Sequence, residues 1–296
     1  MWAKILATAS SQQFCGPGYC VPAVDAARRC IERAGIDKDE IDLLINIGLY
    51  RDQNICEPAL ATLIQQQLSL NPAPHTAPNG HKTFSFDLQN GACGLLSAVQ
   101  VARTLLATGS AHQALIVSCD QHPSRAPDPG FPFEPTGAAM LLGPAPRQGQ
   151  GFGSVDFSIM PDSLDAVRGS IDVLACGNQG RNRVTVAIQK DFADRALPLC
   201  IRAVRQLIAA QNLDPRRLKI ISSLPALWHD QRLACALELD PAQFINVRQE
   251  CGAVHTSALI LGYDLAARKN ALAENDPVLF LGVGSGITVS VGLYRV

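Results

Sequence analysis

Apolar and polar positions along the chain alternate between two periods. From Val21 to Ala34 the apolar positions recur every three to four residues. Val24, Ala27, Cys30 and Ile31 share one face, which predicts an amphipathic helix ended by Gly35. Ile41 to Leu49 is rich in Ile and Leu and predicts a strand buried on both faces. Helices are predicted over Pro58 to Leu70 and from about Cys93 to Ala107, the latter closed by Gly109. Strands are predicted over Thr83 to Leu88, Ala114 to Cys119 and Gly137 to Leu142. The Pro-, Gly- and Gln-rich stretch Pro144 to Gly151 reads as a connection. A second series follows it. Strands are predicted over Ser154 to Ile159, Val184 to Ile188, Leu218 to Ser222, Phe244 to Val247, Pro277 to Val283 and Ile287 to Tyr294. Helices are predicted over Phe192 to Gln211, Trp228 to Glu238 and His255 to Arg268. The last two strands read as a hairpin through Gly284-Ser285-Gly286.

The two series repeat each other. An aliphatic-Asp pair, a polar turn and a strand follow the first helix at Ile36-Asp37, and follow the long helix of the second series at Leu213-Asp214. Cys93 opens a helix whose next strand starts about 21 residues later, and His255 opens one whose next strand starts about 22 residues later. A repeat of this length means two copies of one α/β unit. The expected domains are residues 1–150, carrying Cys93, and 151–296, carrying His255 and the glycine-rich turn.

Composition narrows the class. Of the 296 residues 47% are hydrophobic and 17% charged, a globular balance with enough chain for a large core. The formal net charge of -1 and the lack of a Lys/Arg block give no sign of nucleic-acid binding. No apolar run is long enough to span a bilayer, and the N-terminus is a poor signal peptide, so a cytoplasmic protein is expected. None of the ten cysteines forms a CxxC pair, which disfavours zinc or thioredoxin-type chemistry. Cys30, Cys119, Cys200 and Cys235 lie in apolar segments and read as small buried hydrophobes.

Cys93 differs from the others by its place at a predicted helix start between Gly91-Ala92 and Gly94. A helix N-terminus carries unpaired N–H groups and about half a positive charge, which should lower the thiol pKa. If the halves pack with pseudo-twofold symmetry, the helix start at His255 faces it. A histidine there can take a proton or hold an oxyanion, and the same helix field should keep it neutral.

The chain resembles the thiolase superfamily, closest to the β-ketoacyl-ACP synthase III branch. The resemblance rests on Phe86-Asp87-Leu88-Gln89-Asn90-Gly91-Ala92-Cys93-Gly94-Leu95-Leu96-Ser97-Ala98, on Gly137-Ala138-Ala139-Met140-Leu141-Leu142 and on Gly282-Val283-Gly284-Ser285-Gly286-Ile287-Thr288. It implies a thiolase fold of two pseudo-twofold-related α/β halves, with central mixed sheets in an α-β-α-β-α layering. It implies an acyltransferase or condensing enzyme that forms an acyl-Cys93 thioester from acyl-CoA or acyl-ACP and passes the acyl group on, in fatty acid- or polyketide-related metabolism. Acyl-CoA or phosphopantetheinyl acyl carrier protein is then a substrate, and no separate cofactor is implied.

The family uses Cys, His and Asn. Here Cys93 matches the nucleophile, Ser223 stands where the histidine is expected, and His255 stands at the asparagine position before Thr256-Ser257-Ala258. The backbone N–H groups of Cys93 and of Gly284 or Ser285 would form the oxyanion hole. His229 would be a weak substitute for the missing histidine. The N-terminus reads as short for the family. A dimer is implied, with self or with a related ketosynthase-like chain, through the strand after Phe84 and the Cys93 helix. The alternative reading is a degenerate subunit supporting an active partner. His75, His81, His112 and His122 are expected at the surface and Trp228 in packing. Arg125 and Arg147 are candidates for a CoA or carrier-protein phosphate.

Overall fold

The computed structural model describes residues 2–12, 20–71, 82–123, 130–171 and 184–296. His75, His81 and Arg125 lie outside them. Twelve strands and seven α-helices are described. In the first half these are β1 (Ala3–Ser11), α1 (Val21–Ala34), β2 (Leu43–Asn46), α2 (Leu60–Leu68), β3 (Phe84–Asp87), α3 (Gly94–Ala107), β4 (Ala114–Asp120) and β5 (Thr136–Pro144). The second half contributes β6 (Gly151–Ile159), β7 (Val167–Ile171), β8 (Val184–Ile188), α4 (Phe192–Ala210), β9 (Lys219–Ser222), α5 (Leu227–Leu237), β10 (Phe244–Ile245), α6 (Arg248–Cys251), α7 (Ala258–Arg268), β11 (Pro277–Gly284) and β12 (Thr288–Arg295).

Ten strands form one mixed sheet in the order β10-β9-β11-β12-β6-β1-β5-β4-β2-β3. Each half contributes five in the same order. In the first, β2 is parallel to β3 and β4, and β5 is antiparallel to β4 and β1. In the second, β9 is parallel to β10 and β11, and β12 is antiparallel to β11 and β6. The two runs join at β1–β6, where Ala3 pairs with Phe152. We read this repetition as the two halves 1–150 and 151–296.

Alternation along the strands divides the core into layers. Leu43, Ile45, Ala114 and Ile116 face a middle layer that holds Leu95, Leu96 and Val99 of α3 and Leu259 and Ile260 of α7. Leu44, Leu115 and Val117 face outward onto α1 and α2. Leu279, Leu281 and Val283 face the opposite way, onto α4. Strands covered on both faces need apolar residues at every position, which is why β2 and β4 read as continuous hydrophobic runs. The layering is α-β-α-β-α, as the resemblance implies, with α3 and α7 in the middle.

Two expectations fail in the fold. No strand is expected before the first helix, yet β1 has nine residues and sits mid-sheet between β5 and β6. Its inward positions include Ala3 and Ala9, too small to mark a strand by hydrophobic alternation. Cys235, read as buried, is exposed on α5, whereas Cys30, Cys119 and Cys200 are buried. No helix among the described residues is long and apolar enough to cross a membrane.

Candidate active site

The starts of α3 and α7 are built alike. Each is preceded by one 3-10 turn, Gly91–Cys93 before α3 and His255–Ser257 before α7. The first residue of each turn is left-handed, Gly91 at φ 49° and His255 at φ 43°. The repeat is therefore displaced two residues from expectation. His255 is the counterpart of Gly91, and Cys93 is the counterpart of Ser257. The mutual approach of the helix starts survives this correction. A Cβ built on Gly91 would lie 3.4 Å from His255 Nε2, so the imidazole faces the turn that carries the cysteine. A left-handed backbone is uncommon outside glycine, and at His255 the neighbouring contacts hold it there.

Those contacts centre on Asp120, the last residue of β4 and fully buried. His255 Nδ1 lies 2.9 Å from its Oδ2, which also accepts from the Thr256 hydroxyl at 2.6 Å and the Thr256 N–H at 3.1 Å. Its Oδ1 accepts from the N–H groups of Leu49 and Tyr50, both at 2.8 Å. Burial pushes the Asp120 carboxyl up, but the His255 ring, the Thr256 hydroxyl and the Tyr50 N–H outweigh it. The net direction is below the ordinary carboxylate value. A carboxylate on Nδ1 fixes the tautomer with Nδ1 protonated and leaves Nε2 for the site. Phe133 stacks on the imidazole with centroids 4.3 Å apart, and Tyr50 flanks it at 5.6 Å.

Cys93 caps α3 as expected, yet its thiol is not acidified. The side chain is fully buried, and burial pushes the pKa up to about 11, against hydrogen bonds from Ser290 and from the Gly284 backbone. Desolvation of a thiolate outweighs one helix terminus. The resting group is a thiol that donates to the Thr288 carbonyl at 3.4 Å. A Cβ on Gly284 would lie 3.2 Å from the sulfur, which puts the glycine-rich turn directly against it. The Cys93 N–H, expected in the oxyanion hole, is engaged by the Asn90 carbonyl at 3.0 Å.

A cavity of about 150 Å³ opens at this point. His255, Ser223, Asn246, Arg248, Gly284 and Ser285 line its polar side, and Ile188, Phe192 and Val247 are among its apolar walls. Ser223 is thus in the pocket, where its hydroxyl accepts from the Val283 N–H at 3.0 Å. His229 is not in the lining. It is buried on α5, its Nε2 hydrogen-bonded to the Ala193 carbonyl of α4, and burial pushes its pKa down.

No family profile matches the chain. The β-ketoacyl-[acyl-carrier-protein] synthase III of Rhodopirellula baltica is 25% identical over 303 residues, covering 92% of this chain and 83% of that protein. The enzyme of the same name from Rickettsia bellii is 22% identical, with the same two shares. Among solved structures, Xanthomonas campestris OleA with bound lauric acid and lauroyl-CoA superposes with a TM-score of 0.82. Its identity is 15%, over 100% of this chain and 99% of that one. Pseudomonas aeruginosa 3-oxoacyl-(acyl carrier protein) synthase III gives 0.82 at 17% identity, over 100% and 98%. The chain has the thiolase fold and is similar to β-ketoacyl-ACP synthase III proteins.

In this synthase III-like chain His255, Ser223, Gly284 and Ser285 line one cavity, while Cys93 is outside that lining, its buried sulfur lying against Gly284. Sequence reasoning missed Asp120. Its signal was available: a carboxylate ending a buried apolar strand, where α/β sheets place ligands and functional groups. Other candidates fall away from the pocket. Arg147 is exposed and outside the lining, and His112 is at the surface as expected. His122 packs edge-on to Phe131 at 5.1 Å. Trp228, expected in packing, is 39% exposed, with Arg232 over its ring at 5.0 Å.

Proposed function

We propose that this protein is an acyltransferase of the condensing-enzyme kind that carries its acyl group on Cys93. The observation that supports this most is the Asp120–His255 pair, with Nε2 directed at the turn that carries the cysteine. In the first half-reaction Nε2 takes the thiol proton. The sulfur attacks the thioester carbonyl of acyl-CoA or acyl-ACP, the new C–S bond forms, and the bond to the donor sulfur breaks. The departing thiolate takes the proton back from His255. Asp120 holds the imidazolium while it lasts.

In the second half-reaction Nε2 takes a proton from an acceptor as it attacks the acyl-Cys93 carbonyl; the C–S bond to Cys93 breaks, and the departing Cys93 thiolate takes that proton back. That chemistry suits an acceptor with an O–H, N–H or S–H group. Decarboxylative condensation instead needs two donors on an enolate oxygen; the Ser223 hydroxyl can supply one, but Nε2 of a ring protonated at Nδ1 is an acceptor. The proposed partners are acyl-CoA or acyl carrier protein. The exposed Phe84 on edge strand β3 suits a dimer, with self or with a related chain.

Incubation with a series of acyl-CoA and acyl-ACP donors, followed by intact mass, tests the reading. A single acyl adduct is expected, absent in Cys93→Ala. A folded protein that takes no adduct from any donor would favour the supporting-subunit alternative.

A further inference from the structure

Ser290 lies on β12, directly opposite Gly282 of β11, and is fully buried. Its hydroxyl has no nitrogen or oxygen partner among the described residues. Leaving a buried hydroxyl unpaired is unfavourable, so the position calls for an explanation. The space around it supplies one. A Cβ on Gly282 would fall 2.5 Å from Ser290 Oγ, 3.0 Å from the Ala92 carbonyl and 3.3 Å from Cys93 Cα. The missing side chain at Gly282 therefore leaves a notch against the nucleophile turn, and the Ser290 hydroxyl fills it.

We propose that Ser290 is a positioning residue for the nucleophile, its hydroxyl donating to Cys93 Sγ once the sulfur is a thiolate. As a thiol, Cys93 donates to the Thr288 carbonyl. When the proton leaves for Nε2, that carbonyl is an acceptor facing an anion, and the sulfur needs donors instead. Ser290 stands two residues along the same strand and has no competing partner. Of the groups that favour the thiolate against burial, the Ser290 side chain counts most. The switch moves no proton of its own. It turns the sulfur from donor to acceptor and gives the otherwise unpaired hydroxyl its partner only in the reactive state. A transition-state-specific contact of this kind raises rate without tightening substrate binding.

This inference rests on Cys93 being the nucleophile, but not on the identity of any acyl donor. The test is the pH profile of Cys93 alkylation by iodoacetamide, read on the Cys93 peptide by mass spectrometry. Ser290→Ala, with Ser290→Gly as a second deletion, should displace the profile upward by about one pH unit. At any pH below the midpoint, alkylation should then be roughly tenfold slower. A hydroxyl that is merely buried and unpaired would give superimposable profiles with a higher melting temperature in Ser290→Ala, and that result overturns the proposal. Failure of the wild-type Cys93 to label at any pH would overturn the nucleophile assignment itself. A labelled Cys93 with an unmoved profile sinks only the role of Ser290.

Discussion

The turn Gly91–Cys93 and the turn His255–Ser257 have the same backbone and opposite duties. In the first, the residue at the head of the helix is a thiol that donates to the carbonyl of Thr288, the first residue of β12. In the second it is Ser257, whose hydroxyl donates to the carbonyl of Thr136, the first residue of β5, at 3.0 Å and also meets Ser118 at 2.8 Å. The left-handed position carries no side chain in the first turn and an imidazole in the second. Asp120 ends β4 and anchors that imidazole. Its counterpart at the end of β11 is Gly284, which pairs with Thr288 as Asp120 pairs with Thr136 and has no side chain to make such an anchor. One scaffold, used twice, thus places the cysteine turn of one copy against an imidazole from the other, and each copy lacks what the other supplies. Two-fold repetition delivers the convergence, and asymmetric side chains deliver the chemistry.

The largest effect should come from removing the base. His255→Ala should slow acyl transfer by about 10²- to 10⁴-fold, while His229→Ala should leave the chemistry intact and lower stability. Single-turnover transfer rates and melting curves separate the two, and equal rate losses would break the assignment of His255 as partner. Next comes the anchor. Asp120→Ala leaves the donors of Leu49, Tyr50 and Thr256 unpaired and should cost about 3–5 kcal/mol in urea unfolding. Ser285→Ala, at the exposed turn just beyond β11, should stay within about 0.5 kcal/mol. Ser257→Ala should cost about 1–3 kcal/mol without changing the rate of acyl-Cys93 formation, since Ser257 keeps the scaffold role that Cys93 has left. A rate loss there would mean the two turns are more coupled than their contacts suggest.

The smallest effect is on acid stability. The Asp120 carboxyl is held below its ordinary value in the folded chain. Its contribution is therefore complete above the unfolded carboxyl value of about 4 and fades as pH falls through the lower folded one. Asp230 runs the other way. Burial raises its carboxyl despite hydrogen bonds from Ser222 and Asn246, so the contribution of its protonated form is present in acid and lost as pH rises. Asp120→Asn should flatten the acid limb of a stability–pH curve, and Asp230→Asn should raise stability at neutral pH.

Much of this was legible along the chain. The helix Val21–Ala34 appears with the predicted bounds because its apolar face and the Gly35 stop are both local signals. Strands β4, β11 and β12 lie within a residue of expectation because burial on two faces makes them continuous in sequence. β1 escaped because pairing mid-sheet, rather than side-chain size, makes it a strand. β7 escaped because a polar, half-exposed strand pairs only with β8. At the site, motif and spacing located Cys93 and His255, but the exact register of the repeat required the two 3-10 turns. The acidity of Cys93 was misjudged because a helix terminus shows in sequence and desolvation does not. The role of Asp120 needed five contacts from two separate segments, which a linear reading does not bring together.

The Asp120 carboxylate also limits how this protein can change. It ties the end of β4 to the Leu49–Tyr50 segment and to the His255 turn, so exchanging it would loosen three segments as well as the base. Ala92, Ser223 and Ser285 border the cavity beside it without holding it together. New acceptor preferences should therefore arise by substitution at those three positions, around a fixed Asp120–His255 pair, in any laboratory selection for altered acyl transfer.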